Sequence, residues 1–406
     1  MLDVNYKLSL KYNLAYVCVE ILEEPQFRGE LVNNEEVEIL MRIILKKMRV
    51  LSFTLCFFFI SSMLIVPPAQ AVTPVNTISI TQDATGVAIS DVNRSERLKN
   101  YQIPKSNLKI MTTEELIETI LNYPLLVDLY AYDTYQQGFK AVSKSFNGLE
   151  ELVLRKDVAL KLLAKYKDME VIKDATKVTS RQFLKLSYME ILLGQDEILS
   201  KFNKTETADL QKKAEDKYLQ KKNLPNIYGM DTSKFLLKNI TKVSPLNTLS
   251  SLVYISPLGY NFYNVYTPMG TAVEVYTTSQ DLEWSPSEKI ALDNDTRNSY
   301  PGITILRTAT KYYNCHSYAW YSTSYSNLYW MNYPSAYMTD GSYTYKSYGS
   351  NYDKVYYNGG DHSGIITGVI VPFHIYQVTS KWGKLGLISH SSGNCPYVSA
   401  DLKFYY

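Results

Sequence analysis

Three side chains in the last quarter of the chain are of the types that nucleophilic catalysis needs: Cys315, His362 and His390. A thiol nucleophile requires an imidazole within hydrogen-bond reach, and the imidazole requires a third polar group to hold its tautomer and orientation. Cys315 lies in residues 312–320, YYNCHSYAW, where the small and aromatic positions after the cysteine predict the opening of a helix. Unpaired backbone N–H groups and the positive end of the dipole favour thiolate over thiol at such a terminus. His362 opens residues 361–368, DHSGIITG, and His390 closes residues 385–390, LGLISH. The chemistry this set could carry is attack of sulfur on a carbonyl carbon.

The elements around these residues must then bring them together. Residues 352–357, YDKVYY, read as a strand, Asn358-Gly-Gly as a turn and His362 as the start of the returning strand. A further strand ends near His390, before the turn at Ser391. Adjacent strands can carry two side chains to one face, which would place both imidazoles beside the Cys315 helix.

In order and type these segments resemble the NlpC/P60 and CHAP cysteine peptidases, on Asn314-Cys315-His316, residues 353–357, residues 362–368 and Ile388-Ser389-His390. The resemblance spans about 80 residues, Cys315 to Cys395, and His316 stands where those families usually carry Ser or Thr. It implies a papain-like domain, a cysteine-bearing helix packed on an antiparallel sheet. It makes Cys315 the nucleophile, His362 the general base and His390 the orienting residue. The implied substrates are amide bonds in bacterial cell-wall peptides or other amides, cut without a cofactor or metal. The backbone N–H of Cys315 and, more weakly, the Asn314 side chain would hold the oxyanion. Trp320, Trp330 and Trp382 read as core and rim, with a weaker reading as a substrate groove.

Other readings of the same residues stay open. Cys315 and Cys395 could form a disulfide if their Cα atoms lie within roughly 7 Å. Cys315, His362, His390 and Cys395 could bind a metal, although no C-x-x-C or H-x-x-x-H spacing supports it. His316 and His374 read as structural or surface residues. The chain as a whole could be a non-catalytic secreted surface-binding protein that keeps a papain-like scaffold.

Composition narrows the partners. Net charge is +2, from 42 basic and 40 acidic side chains, without the basic excess that phosphate neutralisation requires, so nucleic acid is not expected. Of 36 tyrosines, 24 follow residue 250, as suits a sheet that shows aromatic rings to water. Residues 41–71 have the grammar of a secretory leader: a basic start, an apolar run from Val50 to Val66 and a small-x-small site ending at Ala71. That run is short for a bilayer core of about 30 Å, so no stable membrane anchor is expected once the leader is cut, and the product would be extracellular or attached to the cell wall. Residues 1–40 then read as a start-site extension.

Residues 72–110 read as a flexible leader and 111–240 as an all-α region. Thr112 and Glu115 form a capping box, and helical spacing recurs over 126–145, from Leu149 to Leu163, over 181–193 and over 205–219. Lys212, Lys213, Lys217, Lys221 and Lys222 read as a solvated helix face. After Pro225 the pattern turns to strands, and residues 250–406 are expected to be the papain-like domain. The fold class expected is therefore α+β.

Overall fold

Local capping chemistry sets five helix starts among the described residues. The Thr112 side chain accepts from the Glu115 N–H at 3.2 Å while Glu115 accepts from the Thr112 N–H at 2.9 Å, and Thr113–Leu121 follows. The same reciprocal pair opens Tyr135–Ser145 (Thr134, Gln137), Ser180–Leu193 (Thr179, Gln182), Lys204–Lys222 (Asn203, Glu206) and Pro286–Ser299 (Ser285, Glu288). Each satisfies two backbone donors that the helix leaves unpaired. The computed structural model describes residues 94–243, 260–278, 283–359, 361–370, 375–397 and 401–406. The expectations for residues 1–40, for the leader at 41–71, for 72–93 and for His374 lie outside the described residues.

The chain is α+β. After the helices come a hairpin of β1 (Asn261–Tyr266) and β2 (Ala272–Thr277), then β3 (Thr304–Arg307), β4 (Tyr345–Lys346), β5 (Lys354–Asn358), β6 (His362–Ile370), β7 (Ile375–Lys381), β8 (Leu387–Ser391) and β9 (Asp401–Tyr405). The last seven form one sheet in the order β3-β8-β7-β6-β5-β9-β4, with every pair antiparallel. Its two faces have different company. Val355, Tyr357, Ile366, Val378 and Ile388 join a core shared with Leu116, Leu126, Leu149, Leu192 and Leu236 from the helices. Tyr356 and Ile365 lie with Trp320, Tyr337 and Tyr405 in a second, smaller cluster on the other side.

The helical and sheet parts, which the sequence divides near 225–255, thus share one core, and the described residues form a single compact unit. Their seam is the β7–β8 turn. Gly383 has φ +48°, and a Cβ there would stand 2.4 Å from the Ala131 carbonyl carbon and 2.6 Å from the Tyr132 nitrogen. Its neighbour Lys384 donates its N–H to the Tyr130 carbonyl at 2.8 Å and its ammonium to the Tyr132 and Asp133 carbonyls.

Two sequence expectations change. Part of the supposed flexible leader is helical, Arg94–Asn100 and Lys105–Ile110, and the first of these helices is anchored by two buried arginines, Arg94 and Arg97. Arg94 Nη2 pairs with Asp128 at 2.9 Å, and Arg97 donates to the Ser299 carbonyl at 2.5 Å and to Asn394 at 2.7 Å. The lysine cluster is not one solvated face either. Lys221 is fully buried against Glu190 at 2.7 Å, and Lys217 is buried with its ammonium on the Met169 carbonyl.

Gly383→Ala combines a left-handed backbone with a clash against backbone atoms that cannot rotate away. It is expected to cost about 2 kcal/mol or more, read as a lowered midpoint in chemical denaturation.

Candidate active site

Asn314 begins the site. Its side chain is buried and caps the helix that Cys315 starts, with Oδ1 accepting from the Ser317 N–H at 3.1 Å and from the Met331 N–H at 3.1 Å. Its amide donates to the Met331 carbonyl at 2.8 Å and to Asp133 at 3.4 Å. Asn314 is therefore spent on structure, and the oxyanion role read weakly from the sequence does not suit its geometry. The first-turn N–H groups of Cys315 and His316 have no carbonyl within their own helix.

Cys315 is 4% exposed and lines a cleft of about 580 Å³ together with Asp361, Gly359 and Tyr397 from the sheet side and Tyr132 and Asp133 from the helical side. Both Cys315 and Cys395 are free, so the alternative of a disulfide between them is not realised. Cys395 instead donates its S–H to the Tyr397 carbonyl at 3.4 Å, and burial pushes its thiol up to about 12. Among the described residues no group of three or more His, Cys, Asp or Glu side chains is arranged to hold a metal ion. No helix among them is long and apolar enough to cross a membrane.

Strand alternation decides which imidazole the Cys315 helix meets. In β6, His362 pairs with Tyr357 and Ser363 with Tyr356, so the two residues point to opposite faces. The helix lies on the Ser363 face. His316 Nδ1 is 2.9 Å from Ser363 Oγ and Trp320 Nε1 donates to the same oxygen at 2.8 Å. His316 Nε2 is 3.2 Å from Asp361 Oδ1. Asp361 sits at φ +47° in the turn before β6, a conformation that Asp tolerates better than most residues, and this turns its carboxylate toward the ring. Burial alone would lower the His316 pKa; Cys315 and Asp361 outweigh it and raise the pKa to about 10. In return the hydrogen bond from His316 lowers the Asp361 carboxyl below its ordinary range.

His362 lies on the face that meets the helical core. Its ring stacks on Tyr397 at 3.5 Å between centroids, with Tyr357 edge-on at 5.2 Å, and neither nitrogen has a hydrogen-bond partner among the described residues. Burial, then the nearby His390 and His316, hold it well below the ordinary histidine value. His390 does not make the contact expected of it. Its Nε2 is 2.8 Å from Ser380 Oγ and its Nδ1 is 2.8 Å from the Ser391 carbonyl, which fixes the tautomer with the proton on Nδ1. Burial lowers its pKa to about 4. The structure therefore brings Cys315, His316 and Asp361 together, while His362 and His390 form no hydrogen bond with each other or with Cys315.

The three tryptophans are core rather than groove. Each is buried with its indole N–H engaged: Trp320 on Ser363, Trp330 on the Lys311 carbonyl at 2.7 Å and Trp382 on Ser380 at 3.2 Å. The sequence pattern reads His316 as a structural or surface residue, and the structure instead sets it beside Ser363 and Asp361. Its signal was present in its direct attachment to the cysteine and in the Asp361-His362-Ser363 step, whose alternation points Ser363 rather than His362 at one given face. Comparison with family models, with curated proteins and with solved structures finds no match for this chain.

His390 gives a signed pH dependence. Its folded pKa, about 4, lies below the unfolded value of about 6.5, so the unfolded chain binds the proton more readily in between. Its contribution is intact above pH 6.5 and falls away as the pH drops through 4, a loss of about 3 kcal/mol between pH 7 and 4. Unfolding free energies of the wild type and His390→Gln, measured at both pH values, are expected to converge by that amount on acidification.

Proposed function

We propose that this chain is a cysteine hydrolase of peptide or other amide bonds, with bacterial cell-wall peptides as the substrates that its resemblance implies and with export directed by the leader at 41–71. One observation carries the reading: a thiol at a helix N-terminus, open to a cleft, adjoins an imidazole whose two nitrogens are held by Ser363 and Asp361. Nucleophile, base and orienting carboxylate are the three parts that thiol catalysis needs.

In the proposed cycle Cys315 Sγ attacks the carbonyl carbon as the thiolate of a Cys315–His316 ion pair, the proton already resting on His316, whose pKa is raised to about 10. The negative oxygen takes hydrogen bonds from the first-turn N–H groups of Cys315 and His316, whose dipole end favours that charge. Collapse breaks the C–N bond, and the proton on His316 goes to the departing amine. Water then adds to the thioester, giving a proton to His316. The C–S bond breaks, the acid leaves, and sulfur departs as the thiolate beside the protonated His316, which restores the starting pair. Asp361 holds the ring in place and stabilises its charged form.

The assignment implied by the family resemblance makes His362 the base instead. Its two nitrogens, without hydrogen-bond partners among the described residues, and its stacking on Tyr397, which borders the same cleft as Cys315, are what favour it.

Alkylation of Cys315 by iodoacetamide near neutral pH separates these readings. His316→Gln is expected to slow it at least about tenfold, with His362→Gln changing it little. The reverse order would move the base to His362. Cys315→Ala is expected to abolish hydrolysis of cell-wall peptides. Labelling of the wild type no faster than that of free cysteine would reject the hydrolase reading and leave a non-catalytic binding protein.

A further inference from the structure

The wall of the cleft opposite the sheet comes from the helix Tyr135–Ser145, and its lining is cationic. Gln137, Lys140, Ala141 and Lys144 all border the cleft. Their spacing of three, four and seven residues puts them on a single stripe of that helix. Lys140 and Lys144 are exposed, and neither forms an ion pair among the described residues. Arg94 borders the same cleft and is 6% exposed. Its Nη2 is taken by Asp128 and its Nε by Tyr300, yet its Nη1 is buried without a hydrogen-bond partner among the described residues. An unpaired guanidinium donor is costly to bury, and the residue that carries it lines a cleft that also carries the Lys140 and Lys144 ammonium groups.

The acidic side chains of the cleft do not cancel these charges. Asp361 is committed to His316. Asp133 accepts from the Asn314 amide at 3.4 Å, and burial raises its carboxyl against the pull of His316 and Lys384. The positive side of the cleft therefore faces the space beside Cys315 with a donor to spare.

We infer that the cleft takes a substrate bearing a carboxylate beside the bond to be cut, an acidic peptide whose side chain or terminus is received by Lys140, Lys144 and Arg94 Nη1. This deepens the hydrolase reading and rests on Cys315 being the reactive thiol, but the charge preference is measurable without turnover. A carboxylate matches the planar guanidinium donor and the two ammonium groups together, whereas a neutral peptide leaves the Arg94 donor unpaired. The helical part then acts as the specificity wall of the site.

Two measurements test this. Calorimetry on the full chain carrying Cys315→Ala compares acetyl-triglutamate with acetyl-triglutamine. The acidic peptide is expected to bind at least about fivefold more tightly, with the preference lost in Lys140→Gln/Lys144→Gln and in 0.5 M salt. Equal binding of the two peptides, or a preference that survives the double substitution, would overturn the inference. In the second, the ratio of iodoacetate to iodoacetamide alkylation rates at Cys315 is expected to exceed that of free cysteine and to fall about fivefold in the same double variant. A ratio unchanged by the substitution would count against the inference. Slow labelling by both reagents would reject the hydrolase reading alone, since the peptide comparison does not use the thiol. Arg94 is left intact because its pairing with Asp128 helps hold the N-terminal helix.

Discussion

The site exists because one backbone segment can lie directly against another. Ala131 and Tyr132 pack on Gly383 at distances that no Cβ would allow, and Lys384 ties the same segment down through the carbonyls of Tyr130, Tyr132 and Asp133. That seam sets the helical part beside the sheet and places Tyr132 and Asp133 on the rim of the cleft that holds Cys315. Asp133 then accepts from Asn314, whose remaining hydrogen bonds fix the start of the Cys315 helix. The nucleophile is thus located from both sides of the seam. Gly383 fills the requirement because only glycine supplies a positive φ and an empty β position together.

What could be read in the sequence was what is decided locally. Capping boxes depend on residues three apart, and the expected one at Thr112 is joined in the structure by four others of the same grammar. Strand starts near His362 and the end of β8 near His390 followed from short alternating runs bounded by glycine and serine. Tertiary partners were not legible in this way. Lys221 looks like a surface lysine until Glu190, 31 residues away, is placed beside it with Thr232 and Ser233. Arg94 and Arg97 sit in a polar stretch with no helical stripe, and their helix is held by Asp128, Ser299 and Asn394.

The histidines show the same limit at the site itself. A strand beginning at His362 has two faces, and sequence alone could not say which face would meet the Cys315 helix. A shift of one residue exchanges every side chain between the faces. The helix settles on the Ser363 face because Trp320 needs a partner for its indole N–H and an apolar setting beside Tyr343 and Tyr405. That choice brings His316 over Ser363 and Asp361 and sends His362 to the opposite core.

His362 is the cost of this arrangement. Two ring nitrogens buried without partners among the described residues forfeit hydrogen bonds that water would have given, on the order of 1–3 kcal/mol for each group. The ring is kept there by face-to-face stacking on Tyr397, and Tyr397 is itself fastened through its hydroxyl to the Ala131 carbonyl. The adjoining loop is held by Tyr132 on the Pro396 carbonyl at 3.2 Å and by Arg97 on Asn394. The cover over His362, the rim of the cleft and the N-terminal helix are therefore one connected set of contacts. A substrate that displaced Tyr397 would have to break the bond to Ala131 at the seam, so the position of His362 and the shape of the cleft are governed by the same few residues.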